Sequence, residues 1–351
     1  MFSSALRSSL VALAASAISA SAELTLKVSG PESVTGVDNL KVTATLTNTG
    51  SEALQLLNDP RSLLTKVPTN SFRISSSTGA SPSFNGIKVK YVPSVAAKSS
   101  SASFTTIEAG KSVDITHDLS SAYNFTLSGP DDYQINPATI FYAVDPSTLE
   151  VSTVKATVGT SLKTKLAGGT LSIARRTPKT KRASFDGCSA DQQSTIEEAV
   201  DAANTYANNA LSYLQGISDG TERYTTWFGE FDSSRYNTVT DHFNNIATQG
   251  YDDYTYDCST CDLEGTYAYV YPDEFGTIYL CDVFWQTTTT GTDSRGGTLI
   301  HESTHFTRNA GTDDHVYGQS GAQDLAQSDP DTAIDNADSH EYFAENNPAL
   351  D

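Results

Sequence analysis

Between Leu24 and Ile173 apolar and polar positions alternate in LTLKV, LKVTATLTN, ATIFYAV, VSTVKATV and TLSI, runs rich in β-branched residues and separated by Gly, Pro, Ser and Asn. Period-two alternation puts every second side chain on one face, so these runs predict strands of a small antiparallel β-sandwich. The pattern changes after Cys188. SADQQSTIEEAVDAANTYANNALSYLQG offers Ser189 as an N-cap, acidic early turns, apolar residues at helical spacing to Leu214 and a stop at Gly216. A second helix fits SSRYNTVTDHFNNIATQG, whereas YDDYTYDC, GTYAYVYP and FGTIYLCDVFW alternate as strands. Helical spacing returns in GTLIHESTHFTRNAG and, after a loop, in QSGAQDLAQSDPDTAIDNADSHEYFAEN. Helices around a small antiparallel sheet predict an α+β domain behind an all-β region.

Charge divides the chain at the same place. Residues 1–182 carry 18 Lys and Arg against 12 Asp and Glu, a net of +6; residues 183–351 carry 4 against 30, a net of −26. The switch falls in TPKTKRASF, where Lys181 and Arg182 form a dibasic pair in an exposed-looking stretch. The first 22 residues, MFSSALRSSLVALAASAISASA, place Arg7 before an apolar run that ends in Ala20-Ser21-Ala22, the pattern of a secretory signal peptide. The reading is therefore a signal peptide over 1–22, a propeptide over 23–182 and a mature domain over 183–351. Basic on acidic suggests that the last two associate before cleavage. No later run approaches the roughly 18 apolar residues of a membrane span, so the product is expected to be soluble, extracellular and monomeric, without a membrane partner. Its negative mature half excludes nucleic acid and favours cationic substrates. The sequon Asn124-Phe125-Thr126 lies in the β-rich half.

All four cysteines, Cys188, Cys258, Cys261 and Cys281, lie in the acidic half, which in a secreted chain predicts two disulfides with three connectivities open. His301-Glu302-Ser303-Thr304-His305 is an HExxH pattern. Four residues apart on a helix, the imidazoles share a face and can reach one Zn²⁺, while Glu302 lies where it can take a proton from metal-bound water. A catalytic zinc takes three protein ligands and a water. The metzincin third histidine is excluded, because Gly311 stands in its place, where it fits a helix C-cap. Spacing leaves Asp313, Asp314 and His315 as third-ligand candidates, with the remote Glu341 as a further option. A metal-activated water needs no serine or cysteine nucleophile, and disulfides account for the cysteines.

HESTHF followed by GTDDHVYG resembles the deuterolysin-type metalloendopeptidases, the aspzincins. The likeness extends over most of 184–351 through RYTTWFG, YAYVYP, FGTIYLC and HEYFAENNPA, and it is similar to the fungal peptidyl-Lys metalloendopeptidases in particular. The resemblance implies a zincin-like fold, one zinc per chain, Asp314 as third ligand and Tyr317 as the group that stabilises the oxyanion. It also implies the pairings Cys188 with Cys258 and Cys261 with Cys281, and a pocket of Asp338 and Glu341 for the lysine after the scissile bond.

Asp338 and Glu341 are three apart, so a helix would carry both on one face, although such a pair is also an ordinary solvated acidic face. An independent feature points the same way. All 12 lysines precede residue 183, while four arginines persist after it. An endopeptidase cutting before lysine would be protected from itself by that depletion. Cutting before Lys181 would leave Lys-Arg attached, so a separate dibasic-directed protease is expected to generate Ala183. Two other readings compete: a broad deuterolysin-like protease preferring basic proteins, and a non-catalytic secreted binding protein with a structural metal. Glu302 argues against the latter.

Overall fold

The computed structural model describes residues 24–99, 103–173 and 184–351. The expected signal peptide and the pair Lys181 and Arg182 lie outside the described residues.

Among the described residues of 24–173 the regular elements are strands, apart from one helical turn at Pro93–Ala96 and short 3-10 turns. They form three four-stranded sheets and a two-stranded one. In Lys41–Asn48 the alternate residues Val42, Ala44 and Leu46 are buried, as period two requires, and they join Leu26, Ile74, Ile135 and Phe141 in one core. Three expectations change. VSTVKATV splits at Ala156 into two strands that enter different sheets, TLSI is not a strand, and LKTKL over Leu162–Leu166 is. The pairing is not purely antiparallel either, since Leu24–Ser29 runs parallel to Thr157–Thr160, and Leu162–Leu166 parallel to Ser33–Val34.

Residues 184–351 are a mixed α+β unit. Ser189 caps Ala190–Gly216 in a capping box with Gln192, which satisfies donors at the helix start reciprocally. The second expected helix spans Ser233–Gln249. The long C-terminal helical segment is instead three helices, Gln319–Ser328, Pro330–Ala333 and Ala337–Glu345, because Pro330 cannot continue the first one and Asn336 starts the last. A helix over Glu222–Phe228 was not anticipated as an element. Disulfides join Cys188 to Cys258 and Cys261 to Cys281, with Cα separations of 5.0 and 5.2 Å.

The sheet of this unit is mixed rather than antiparallel. Its order is Ser184–Asp186, Thr255–Asp257, Thr277–Leu280, Thr266–Val270 and then Lys88–Tyr91 from the N-terminal half. That last strand lies antiparallel on Thr266–Val270, with Tyr269 opposite Val89 and Ala268 opposite Lys90. The two halves thus share a sheet and an apolar seam in which Leu57, Val89, Tyr91 and Val144 meet Tyr269 and Tyr317. Among the described residues no helix is long and apolar enough to cross a membrane.

Candidate active site

The HExxH helix spans Arg295–His305, and all its residues from Gly296 onward are buried. Ser294 caps it, its Oγ accepting from Gly297 N–H at 3.0 Å. It ends at His305, because Phe306 turns extended (φ −59°, ψ 124°), so Gly311 is not its C-cap. Gly311, at φ 67°, instead closes the following turn, its N–H donating to Phe306 C=O at 3.1 Å. The chain then returns along the helix: Thr312 N–H donates to Thr304 C=O at 3.2 Å, and their hydroxyls lie 2.7 Å apart.

This return brings Asp314 to the two histidines. Nε2 of His301 and of His305 are 3.1 Å apart, and Asp314 Oδ1 is 3.2 Å from each. The edge of a tetrahedron with zinc-like bonds is about 3.4 Å. Asp314 Oδ1 is buried without an aligned hydrogen-bond donor, so a cation fits this two-nitrogen, one-oxygen set. His305 Nδ1–H donates to Thr312 C=O at 2.9 Å, which aims Nε2 inward. His301 Nδ1 lies 2.9 Å from Asp338 Oδ1 and 3.3 Å from Glu341 Oε2, aligned on neither. The other third-ligand candidates face elsewhere. Asp313 pairs with Lys88 at 3.7 Å, His315 Nε2 meets Asp335 at 2.8 Å, and Glu341 stands on the far side of His301.

The strand Lys88–Tyr91 crosses this centre. Val89 N–H donates to Asp314 Oδ2 at 3.0 Å, Val89 C=O accepts from the Tyr317 hydroxyl at 2.5 Å, and Lys90 N–H donates to Glu302 Oε1 at 2.9 Å. The Lys90 side chain is fully buried. Its ammonium is 2.7 Å from Glu341 Oε2, 3.2 Å from Asp338 Oδ1 and 3.0 Å from Asp293 Oδ1. The faces of Tyr342 and Tyr267 lie 5.0 and 5.7 Å from it. Asp338 and Glu341, paired by their spacing in the sequence, do converge on one ammonium.

Burial sets the electrostatics. Without a cation beside it, desolvation pushes the Glu302 carboxyl up to about 8, opposed by His301 and reinforced by Asp314. Burial also holds the Tyr317 phenol well above its ordinary range, so it stays a donor. The Lys90 ammonium would be lowered by burial, but Asp338 and Glu341 hold it well above the usual lysine range.

The family model for lysine-specific metallo-endopeptidases, Aspzincin_M35, matches residues 213–345. The chain is 51% identical to the peptidyl-Lys metalloendopeptidase of Grifola frondosa, with 99% of each chain covered. It is 52% identical to that of Armillaria mellea, covering 96% of this chain and 95% of the relative. The chain belongs to the lysine-specific metallo-endopeptidase family. A Pleurotus ostreatus peptidyl-Lys metalloendopeptidase is 63% identical over 168 residues, 48% of this chain but 99% of its own. The chain is thus a metalloendopeptidase.

Several groups in this metalloendopeptidase centre were not legible in its sequence. Asp293 reaches the ammonium from a backbone position at φ 52°, where its N–H donates to Glu345 Oε2 at 3.2 Å and its Oδ1 accepts from the Tyr342 hydroxyl at 2.7 Å. The one available signal was an acidic residue beside the N-cap Ser294. Gly297 makes the room: a Cβ there would stand 2.0 Å from Glu345 Oε1 and 3.0 Å from Glu341 Oε1. Arg61, from the N-terminal half, stacks 3.7 Å above the Tyr317 ring and donates to Asp314 C=O at 2.9 Å.

Proposed function

We propose that this metalloendopeptidase is secreted as a preproprotein, with a signal peptide over 1–22 and an all-β propeptide over 23–182, and that its zincin-like domain from about residue 183 hydrolyses Xaa–Lys bonds. The carrying observation is the ammonium of Lys90 held among Asp293, Asp338 and Glu341 while its own peptide nitrogen meets Glu302. The name of the relatives, peptidyl-Lys metalloendopeptidase, agrees, as does the absence of lysine after residue 182. The Pleurotus relative matches over 168 residues, about the length of the proposed mature half. The basic pair Lys181 and Arg182 would be cut by another protease.

His301, His305 and Asp314 would hold zinc, which when bound supplies an acidified water and a positive charge for the developing oxyanion. Glu302 takes a proton from water and delivers it to the departing lysine nitrogen. Tyr317 donates its hydroxyl to the scissile carbonyl oxygen, where charge develops. Asp314 Oδ2 fixes the N–H of the residue before the bond. The three carboxylates receive the lysine ammonium in a site closed to water, where an uncharged side chain would leave them unpaired.

The test uses the processed secreted protein on peptides differing only in Lys or Arg after the scissile bond. Cleavage before Lys alone, abolished by chelator, restored by zinc and lowered at least about a hundredfold in a zinc-retaining Glu302→Gln variant, supports the reading. Equal cutting before Arg would favour a broad basic-directed protease, and undiminished Glu302→Gln activity would remove the general base.

A further inference from the structure

Tyr317, Glu302, Asp314 and the three pocket carboxylates all meet Val89 or Lys90, the two residues flanking one peptide bond of the chain itself. The strand Lys88–Tyr91 lies on the sheet edge with Val89 opposite Tyr269 and Lys90 opposite Ala268, the way an extended peptide adds to an exposed edge. Tyr317 donates to the carbonyl of Val89, and Glu302 accepts from the nitrogen of Lys90. The neighbouring Lys88 does not compete for the pocket: its ammonium turns to Asp313, 3.7 Å away, and to Thr312 C=O. A loop that only plugged the cleft would not need a lysine in the acidic pocket, nor the preceding carbonyl beneath Tyr317.

We infer that the N-terminal half is a tethered substrate and that the enzyme hydrolyses its own Val89–Lys90 bond. The inference rests on the lysine-pocket reading above. The oxygen of a water molecule joins the Val89 carbonyl carbon, the bond from that carbon to the Lys90 nitrogen breaks, and the water's proton passes through Glu302 to that nitrogen. One product ends in the carboxylate of Val89 and the other begins with the free amine of Lys90. The nick falls inside the four-residue strand that joins the two halves, so it loosens the hold of the N-terminal half on the cleft. Access to outside substrate therefore follows the internal cut.

The experiment uses the full chain with Lys181→Ala and Arg182→Ala, prepared with chelator and started by adding zinc, and follows intact masses and new N-termini. A fragment beginning Lys90-Tyr91 is expected, at a rate independent of chain concentration, unaffected by Lys88→Ala and lost with Lys90→Ala. Binding gives a second readout. In a Glu302→Gln chain nicked at Lys181 and Arg182 the halves stay together on gel filtration, and Lys90→Ala weakens their association about a hundredfold. If the processed enzyme cuts Xaa–Lys peptides while the zinc-loaded full chain never yields a Lys90 N-terminus, the inference is overturned and the site reading stands. If the processed enzyme cuts no such peptide, both fall.

Discussion

Asp338 stands directly behind His301, its Oδ1 2.9 Å from the ring Nδ1, and the same oxygen lies 3.2 Å from the Lys90 ammonium. One carboxylate oxygen thus lies beside both an imidazole of the proposed metal set and the ammonium in the proposed lysine pocket, so the two parts of the site are joined through a single atom.

Asp338→Asn is predicted to damage both. Loss of a carboxylate behind a ligating histidine weakens metal binding by about 10–100-fold. Zinc competition titration gives that number, and the ratio of kcat/KM for Xaa–Lys over Xaa–Arg peptides falls in the same variant. A fall in only one of the two would separate the roles.

Asp293 is predicted to act on the pocket alone, since it touches the ammonium at 3.0 Å and bonds otherwise to Tyr342, Glu345 and Thr287, none of which belongs to the metal set. Asp293→Asn lowers kcat/KM for Xaa–Lys about tenfold, the loss of about 1.4 kcal/mol, while zinc affinity is unchanged. Unchanged kinetics would remove Asp293 from the pocket.

Gly297 lets the HExxH helix and Ala337–Glu345 approach until Glu345 would lie 2.0 Å from an added Cβ. Gly297→Ala therefore pushes the buried Glu345 carboxylate off its bonds to Ser294 and Asp293 and destabilises the protein by about 1–3 kcal/mol, seen as a drop in Tm of the zinc-loaded enzyme. An unchanged Tm would show that the Glu345 carboxylate swings aside at no cost.

Acid destabilises through a buried histidine pair. His340 Nδ1–H donates to Asn336 C=O at 3.0 Å and its Nε2 accepts from His242 Nδ1–H at 3.0 Å, an arrangement that requires the His340 ring neutral. Burial, with His242 adding, lowers His340 from 6.5 to about 3. Between those values the unfolded chain binds a proton that the folded one refuses, so this residue's contribution to stability is full above pH 6.5 and is lost as pH falls toward 3. The slope approaches about 1.4 kcal/mol per pH unit for one proton. Denaturant titrations predict that His340→Gln is less stable than wild type at pH 7 and that the gap narrows at pH 5. A constant gap would mean His340 is protonated in the fold.

Much of this was readable from local pattern, and the unread part is long-range. HExxH announces itself because a helix brings residues four apart together, and Asp338 and Glu341 share a face for a similar reason. Asp314 stood among several candidates until the resemblance singled it out, because its position depends on a turn that begins at Phe306 and not on the helix continuing to Gly311. Asp293 sits at a positive φ that no periodicity predicts. Lys90 and Glu302 are 212 residues apart in the chain, and the four residues KVKY carry too short an alternation to reveal that they complete the sheet of the other half.

The central claim is a metal held by two imidazoles and Asp314, and zinc-edge anomalous diffraction from crystals of the zinc-loaded protein tests it most directly. The account predicts one strong peak per chain, bonded to His301 Nε2, His305 Nε2 and Asp314 Oδ1. A peak bonded instead to Asp313, His315 or Glu341, with Asp314 turned away, would contradict it.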